Sequence, residues 1–170
     1  NPLVNMAEEH NFNEIVFDNV RVPAKYLVGE ENRGWYVGMT TLDFERSNIS
    51  TAAQYRRSFE QLLGYVKEGG RGKREGGRGP TPDGDGTQVR LRLADVAVEI
   101  ETGRLLSYRV ASMQAKGHIP NYESSAAKVY HSELGQRLAN LGVAVMGLQG
   151  ALREDSKYAR LRGRFARTYV

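Results

Sequence analysis

The feature that most constrains this chain is a long helical period that ends in a glycine-rich run. Apolar residues recur on one face from Gly34 to about Glu68, over roughly nine turns, which predicts a helix about 50 Å long. Between Gly69 and Thr87 the chain has eight glycines and two prolines, which cannot continue a helix and predict a long flexible loop. The predicted buried face of the helix carries Trp35, Met39, Leu42, Arg46, Ile49, Ala53, Phe59, Leu62, Leu63 and Val66.

Two further helices follow the loop. One is expected from Thr87, as its N-cap, to Lys116, and the next from Pro120 to about Asn140. An apolar segment with spaced glycines comes next, and residues 151–168 are predicted to be a basic helix. Three or four long helices favour an antiparallel bundle. The expected apolar stripes are Val89, Leu93, Val96 and Ile100 on the first of these helices, and Ala126, Val129, Tyr130, Leu134 and Leu138 on the second.

Residues 12–23 have a different pattern, typical of β-structure. Ile15, Val16 and Phe17 form an extended run, an Asp-Asn turn follows, and a second extended piece stops at Pro23. A two-stranded ribbon is marginal alone in water, so this segment is expected to need a sheet supplied from elsewhere.

Composition narrows the class of protein. The 170 residues suit one domain, and without cysteine the chain has no disulfide, no catalytic thiolate and no Cys-based zinc site. Three scattered histidines lack metal-ligand spacing, and no apolar run is long enough to span a membrane. The formal charge of +4 suggests anionic partners, but its excess is concentrated in residues 71–78 and 153–167. Asn at position 1, without a signal-peptide pattern, suggests a piece of a longer or processed chain.

Five segments, in order, resemble the acyl-CoA dehydrogenase family of flavoproteins. The stretch NEIVFDNVRVPAKYLVGEENRGW resembles the end of that family's middle β-domain and the linker after it. TLDFERS resembles the first helix of its C-terminal domain, and RLADVAVEIETGRLLSYR resembles the second. GVAVMGLQG is similar to its Q-x-x-G-G-x-G turn, and LRGRFARTYV to the stretch before its E-G-T-S or G-G-T-S motif.

The resemblance implies a mainly α fold: an antiparallel four-helix bundle preceded by a short β segment. Residues 1–31 would end the middle β-domain, and residues 32–170 would form most of the bundle. It also implies FAD as cofactor, an acyl-CoA substrate, an electron-transfer flavoprotein as partner, and a homo-oligomer assembled through the bundle. A cytoplasmic protein that binds neither membrane nor nucleic acid is expected. The isolated chain is expected to hold no stoichiometric flavin and to be catalytically weak or dead.

The family's reaction removes a proton α to the thioester carbonyl while the β-carbon gives a hydride to the flavin. The base is a carboxylate, whose pKa desolvation raises. In isovaleryl-CoA-like and long-chain-like members it stands on the first helix, before an Arg, and the resemblance places Glu45 there. A Glu in the C-terminal motif is the alternative base. Arg46, on the apolar stripe, and Asp43 would lie along the acyl-CoA site. For Asp43 a helix salt bridge to Arg46 is an equal alternative, whereas the functional role is favoured for Arg46.

Two further segments carry cofactor candidates. The glycine-rich loop replaces the family's E-R-x-x-F-G segment, whose Arg reaches the flavin pyrophosphate of a neighbouring subunit, so Arg71 or Arg74 could substitute. A solvated loop is the other interpretation. Gly147, Gln149 and Gly150 match the turn that lets backbone amides approach the flavin's ADP part, although a C-cap and interhelix turn explains the same residues.

Two rival functions remain open. The chain could be a non-catalytic assembly subunit of a heteromeric acyl-CoA dehydrogenase, with the bundle kept for oligomerisation. Alternatively, the Arg-Gly steps of the loop could bind RNA, although the loop has no aromatic residue on which a base could stack.

Overall fold

The computed structural model describes residues 1–7, 9–45, 49–68 and 86–169, except the side chains of Asp43 and Phe44. Within these ranges the chain is mainly helical. The helices are α1 (Gly34–Glu45), α2 (Ile49–Lys67), α3 (Thr87–Ala115), α4 (Asn121–Met146) and α5 (Arg164–Tyr169). Before them, β1 (Pro2–Leu3) pairs antiparallel with β2 (Phe12–Asn13). The predicted class, a mainly α bundle preceded by a short β segment, is confirmed.

The core lies where α2, α3 and α4 meet. Contacts at both ends show that α3 and α4 run antiparallel: Arg109 reaches Glu123, and Glu99 reaches Arg137. Leu62 of α2 is fully buried, and α3 contributes the predicted stripe of Leu93, Val96 and Ile100. Burial of such side chains is worth roughly 1.5–3 kcal/mol each and dominates the stability of the bundle. The remaining buried core residues of this cluster are Leu134, Leu138, Leu141, Met146 and Phe165.

The buried face of α4 differs from the prediction at two of its five positions. Leu134 and Leu138 are buried as expected, whereas Ala126 is exposed and Val129 is 59% exposed. The face instead continues through small and polar residues, because α3 approaches closely there. His131 is 1% exposed, its Nδ1 donates to the carbonyl oxygen of Ala127 at 2.7 Å, and its Nε2 lies 3.5 Å from Ser107 Oγ.

The predicted stripe of the first helix is buried only in its second half. Phe59, Leu63 and Val66 pack against the core around Leu62. Trp35, Leu42, Ile49 and Ala53 are exposed, and Ala52 is buried in place of Ala53. The predicted helix from Gly34 to Glu68 corresponds to α1 and α2, with residues 46–48 outside the described part. Residues 69–85, which belong to the predicted loop, are also outside it.

The two extended pieces predicted within residues 12–23 do not form strands in the described chain, and the expectation that they join a sheet supplied from elsewhere stays a prediction. The strand pair joins residues 2–3 to 12–13, and only the bend at Asp18 and Asn19 matches the expectation. Ile15, Val16 and Phe17 are each more than 70% exposed. No described strand lies beside them, so their β-propensity has no ladder to join.

Three helix boundaries also differ from the sequence prediction. Gly86, with φ +75°, occupies the N-cap position of α3, and Thr87 is its first helical residue. Helix α4 continues to Met146 rather than Asn140, because its apolar segment packs on the core instead of starting a loop. Residues 151–168 are not one helix. A 3-10 turn spans Arg160–Gly163, and three consecutive residues there have positive φ before α5 begins.

Charged side chains join α2 to α3 at the bundle surface. Glu101 accepts hydrogen bonds from Arg104 Nε at 2.5 Å and from Arg56 Nη1 at 3.2 Å. The hydrogen bond from Arg104 is the largest cause of a lowered pKa for Glu101, and Arg56 adds to it.

Within the described ranges, no helix combines the length and apolar character that crossing a bilayer requires.

This network predicts a specific pH dependence. A folded-state pKa of Glu101 below its ordinary 4.5 means that its stabilisation is present above that value and is lost as pH falls through the folded-state pKa. Urea unfolding at pH 7 should show Glu101→Gln less stable than wild type, and the difference should shrink by pH 3. Glu68→Gln, at an exposed glutamate after α2, should show no such dependence. An equal difference at both pH values would contradict the assignment.

Glycine packing gives a second prediction. A Cβ at Gly142 would collide with the buried ring of Phe165, so Gly142→Ala should lower the free energy of unfolding by roughly 1–3 kcal/mol. Gly64→Ala is the matched control, since nothing lies within 4 Å of its Cβ and it sits inside α2. That change should raise stability by about 0.5–1 kcal/mol. Urea unfolding of both variants checks this, and equal effects would refute the packing of α5 on α4.

Candidate functional site

Helix α1 presents Glu45 at its last turn. The loop before the helix packs directly against it. Gly29 in this loop has φ +78°, and a Cβ built on it would lie only 2.8 Å from Val37 Cγ2 of α1. Arg33 lies over the Tyr36 ring at 4.3 Å, and Trp35 is 72% exposed. Glu45 is exposed as well, so no described residue encloses its carboxylate.

Four other predicted residues lie wholly or partly outside the described part of the chain. Arg46, Arg71 and Arg74 lie outside the described residues, and so does the side chain of Asp43, whose backbone belongs to α1. Of the predicted substrate and base residues, the structure therefore positions one side chain, that of Glu45. Their proposed roles stay predictions.

The predicted glycine turn is a 3-10 turn, Gly147–Ala151, directly after α4. Gly147 has φ +59° and ψ −140°, a conformation that is essentially restricted to glycine, and nothing lies within 4 Å of a Cβ built there. The backbone at Gly147 therefore borders open space. Leu148 beside it is 92% exposed.

The other two residues of this turn have structural contacts. Gly150 is buried, and a Cβ on it would lie 2.8 Å from the carbonyl oxygen of Val143, so the turn folds tightly back on α4. Gln149 Oε1 accepts a hydrogen bond from Arg160 Nε at 2.9 Å, which ties the turn to the segment before α5. Gly147 is thus the member of the turn whose open side can receive a ligand.

A groove between α2, α4 and α5 was not anticipated from the sequence. Its volume is about 530 Å³, and its lining includes Tyr55, Ser58, Leu138, Arg164 and Arg167. Arg164 Nη1 donates to Ser58 Oγ at 3.1 Å. The only signal in the sequence was the basic excess of residues 153–167, because residues of the groove are up to 114 positions apart along the chain. Within the described part, no cluster of three or more His, Asp or Glu residues can hold a metal ion.

Comparison with known proteins gives a consistent family. Residues 32–169 match the model of the acyl-CoA dehydrogenase C-terminal domain. Acyl-CoA dehydrogenase FadE29 of Mycobacterium tuberculosis is 29% identical over 167 residues, which cover 98% of this chain and 41% of that protein. Acyl-CoA dehydrogenase FadE26 of the same organism is 33% identical over 163 residues, covering 90% of this chain and 38% of that protein.

A solved structure gives the same result. The crystal structure of the ChsE4-ChsE5 complex from Mycobacterium tuberculosis superposes with a TM-score of 0.75 at 30% identity, covering 99% of this chain and 41% of that one. The chain belongs to the acyl-CoA dehydrogenase family. It spans about two-fifths of the length of the curated relatives it matches.

Proposed function

We propose that this chain forms part of a flavin-dependent acyl-CoA dehydrogenase that oxidises the Cα–Cβ bond of an acyl-CoA thioester. The observation that carries the proposal is the family match, which runs from residue 32 to residue 169 and so includes Glu45 and the glycine turn. In this proposal residues 1–31 close the middle β-domain, and residues 32–170 form the helical bundle.

Glu45 is proposed as the base that takes the α-proton. A carboxylate abstracts such a proton at neutral pH only when its surroundings exclude water and raise its pKa. The carboxylate of Glu45 is exposed in the described chain, so the proposal requires the acyl-CoA and the rest of the enzyme to cover it. The exposed side chains of Trp35, Tyr36 and Leu42 on the same helix offer apolar surface for such a cover.

Asp43 and Arg46 are proposed to contact the acyl-CoA or to orient the base. They flank Glu45 in sequence, and an Arg close to a carboxylate base stabilises the charged form of substrate groups through charge-assisted hydrogen bonds. The alternative, a salt bridge between the two, is worth only tenths of a kcal/mol when exposed.

The glycine turn is compatible with the ADP part of FAD. Gly147 leaves open space where a Cβ would stand, and its backbone can be approached as closely as a dinucleotide requires. When bound, FAD supplies the acceptor for the electrons that leave the substrate. Gln149, whose side chain accepts a hydrogen bond from Arg160, and Gly150, which packs closely against Val143, are proposed to hold the turn in shape so that its backbone faces the cofactor. Arg71 or Arg74 is proposed to pair with the pyrophosphate.

Assembly through the bundle is part of the proposal. Leu91, Val98 and Leu105 recur every seven residues on the exposed face of α3, each at least 58% exposed. Such a stripe beside a filled core favours contact with another helix. A related crystal structure is a ChsE4-ChsE5 complex, which supports an assembly of like or related subunits. An electron-transfer flavoprotein is the proposed electron acceptor.

Replacing the proposed base gives the direct test of the residue assignment. Glu45→Gln, made in the complete subunit, should leave flavin content unchanged and reduce kcat for acyl-CoA oxidation by roughly 10²–10⁴-fold. Turnover with several acyl-CoA chain lengths and the visible absorbance of the flavin are the two measurements.

The matched control is Glu31→Gln, at an exposed glutamate in the loop before α1, and it should retain wild-type turnover. Unchanged turnover of Glu45→Gln with retained flavin would reject Glu45 as the base. Wild-type protein that assembles but neither holds flavin nor turns over would favour the non-catalytic assembly subunit.

A further inference from the structure

The groove between α2, α4 and α5 carries an unbalanced charge. Its described lining contains two arginines, Arg164 and Arg167, and no acidic residue. Arg167 is already paired, with Glu154 at 3.3 Å and Glu9 at 3.4 Å. Among the described residues, Arg164 is therefore the groove cation without an acidic partner.

The surroundings of Arg164 make this imbalance costly. The residue is half-buried, and its partner in the described chain is the neutral Ser58 hydroxyl. A guanidinium has five N–H donors in a planar fork, and partial burial without an anion costs free energy. A carboxylate or phosphate accepts two parallel hydrogen bonds from that fork, which is the strongest arrangement available to Arg.

Tyr55 adds a second donor to the same groove. Its ring rests against Gly135, where a Cβ would collide with the hydroxyl. The Tyr55 hydroxyl has no hydrogen-bond partner among the residues that the structure describes. Burial raises the pKa of Tyr55, so the phenol keeps its proton at neutral pH and its O–H can donate a hydrogen bond to an anion.

Part of the remaining lining is apolar, beside the polar side chains of Gln54 and Thr168. Leu138, Ala139 and Phe165 form this apolar part, and all three are at most 2% exposed. An anionic group bound here would be partly shielded from water, which strengthens its interaction with Arg164.

We propose that this groove is a binding site for a carboxylate or phosphate group, held by the guanidinium of Arg164 and by the hydroxyl of Tyr55. The site involves none of the residues assigned to the base, the substrate or the flavin, and it stands whether or not the proposed function holds.

The test is a titration of the 170-residue chain, labelled with ¹⁵N, at constant ionic strength. Inorganic phosphate represents a phosphorylated small molecule, and N-acetyl-glutamate amide represents an acidic side chain of a polypeptide. The backbone amide signals of Ala139 and Phe165 should shift and saturate with at least one of them. The anion that binds more tightly identifies the source of the natural ligand.

Four variants separate the site from general charge attraction. Arg164→Gln should weaken binding by roughly tenfold or more, and Tyr55→Phe by about two- to tenfold. Ser58→Ala removes the hydrogen bond to Arg164 but keeps the charge, so binding should persist. Arg57→Gln, at an exposed arginine on α2, removes the same charge outside the groove and should leave affinity within about twofold of wild type.

Two results would overturn the proposal. One is the absence of any saturable shift with either anion. The other is equal affinity of Arg164→Gln and Arg57→Gln, which would show attraction to net positive charge only. If Arg164→Gln does not fold, Tyr55→Phe becomes the deciding variant. Anion binding by Tyr55→Phe as tight as that of wild type would then overturn the proposal.

Discussion

The bundle depends on glycines of α4 that allow the neighbouring helices to pack closely against it. Gly135 and Gly142 stand seven residues apart on its buried face, and each accepts an aromatic ring, Tyr55 from α2 and Phe165 from α5. On α3, Gly103 makes room for a side chain of α4 in the same way, because a Cβ there would lie 3.1 Å from Nε2 of His131. Interiors pack at crystal-like density, so an added methyl at Gly135 or Gly142 would force the facing ring to shift, whereas at Gly103 a smaller adjustment of His131 would be required.

These contacts explain why polar residues occupy the centre of the bundle. His131 is tolerated there because Nδ1 donates to the Ala127 carbonyl and because Nε2 faces the Ser107 hydroxyl. The Tyr130 hydroxyl likewise bonds to the backbone oxygen of Glu99 across the α3–α4 contact. Buried polar groups with partners fix the relative position of two helices more narrowly than apolar packing does.

Much of the fold could be predicted from the sequence, and the failures have physical causes. The range of α3 and its buried stripe follow from a clean helical period ended by glycines. Val129 has the same apolarity as Leu134 yet is exposed, because burial depends on where α3 and α2 lie and not on the local period. Residues 15–17 have strong β-propensity, but the described part of the chain offers no strand with which they pair.

The candidate site could be predicted from the sequence only in part. Glu45 and the glycine turn were found through family motifs, and the structure adds that Gly147 borders open space whereas Gly150 is closely packed. The helical periodicity alone does not distinguish Glu45 from an ordinary solvent-exposed helix residue. The groove around Arg164 was missed because it joins three elements that are distant in sequence, and only their packing brings Tyr55 and Arg164 to one surface.

The central claim is that these residues belong to a flavin-dependent acyl-CoA dehydrogenase. Its most direct measurement is the visible absorbance of the flavin in the complete subunit, recorded without oxygen while acyl-CoA thioesters of different chain types are added. We predict that at least one thioester bleaches the flavin within a single turnover. Flavin that stays oxidised with straight-chain, branched, aromatic and steroid thioesters alike would contradict the account.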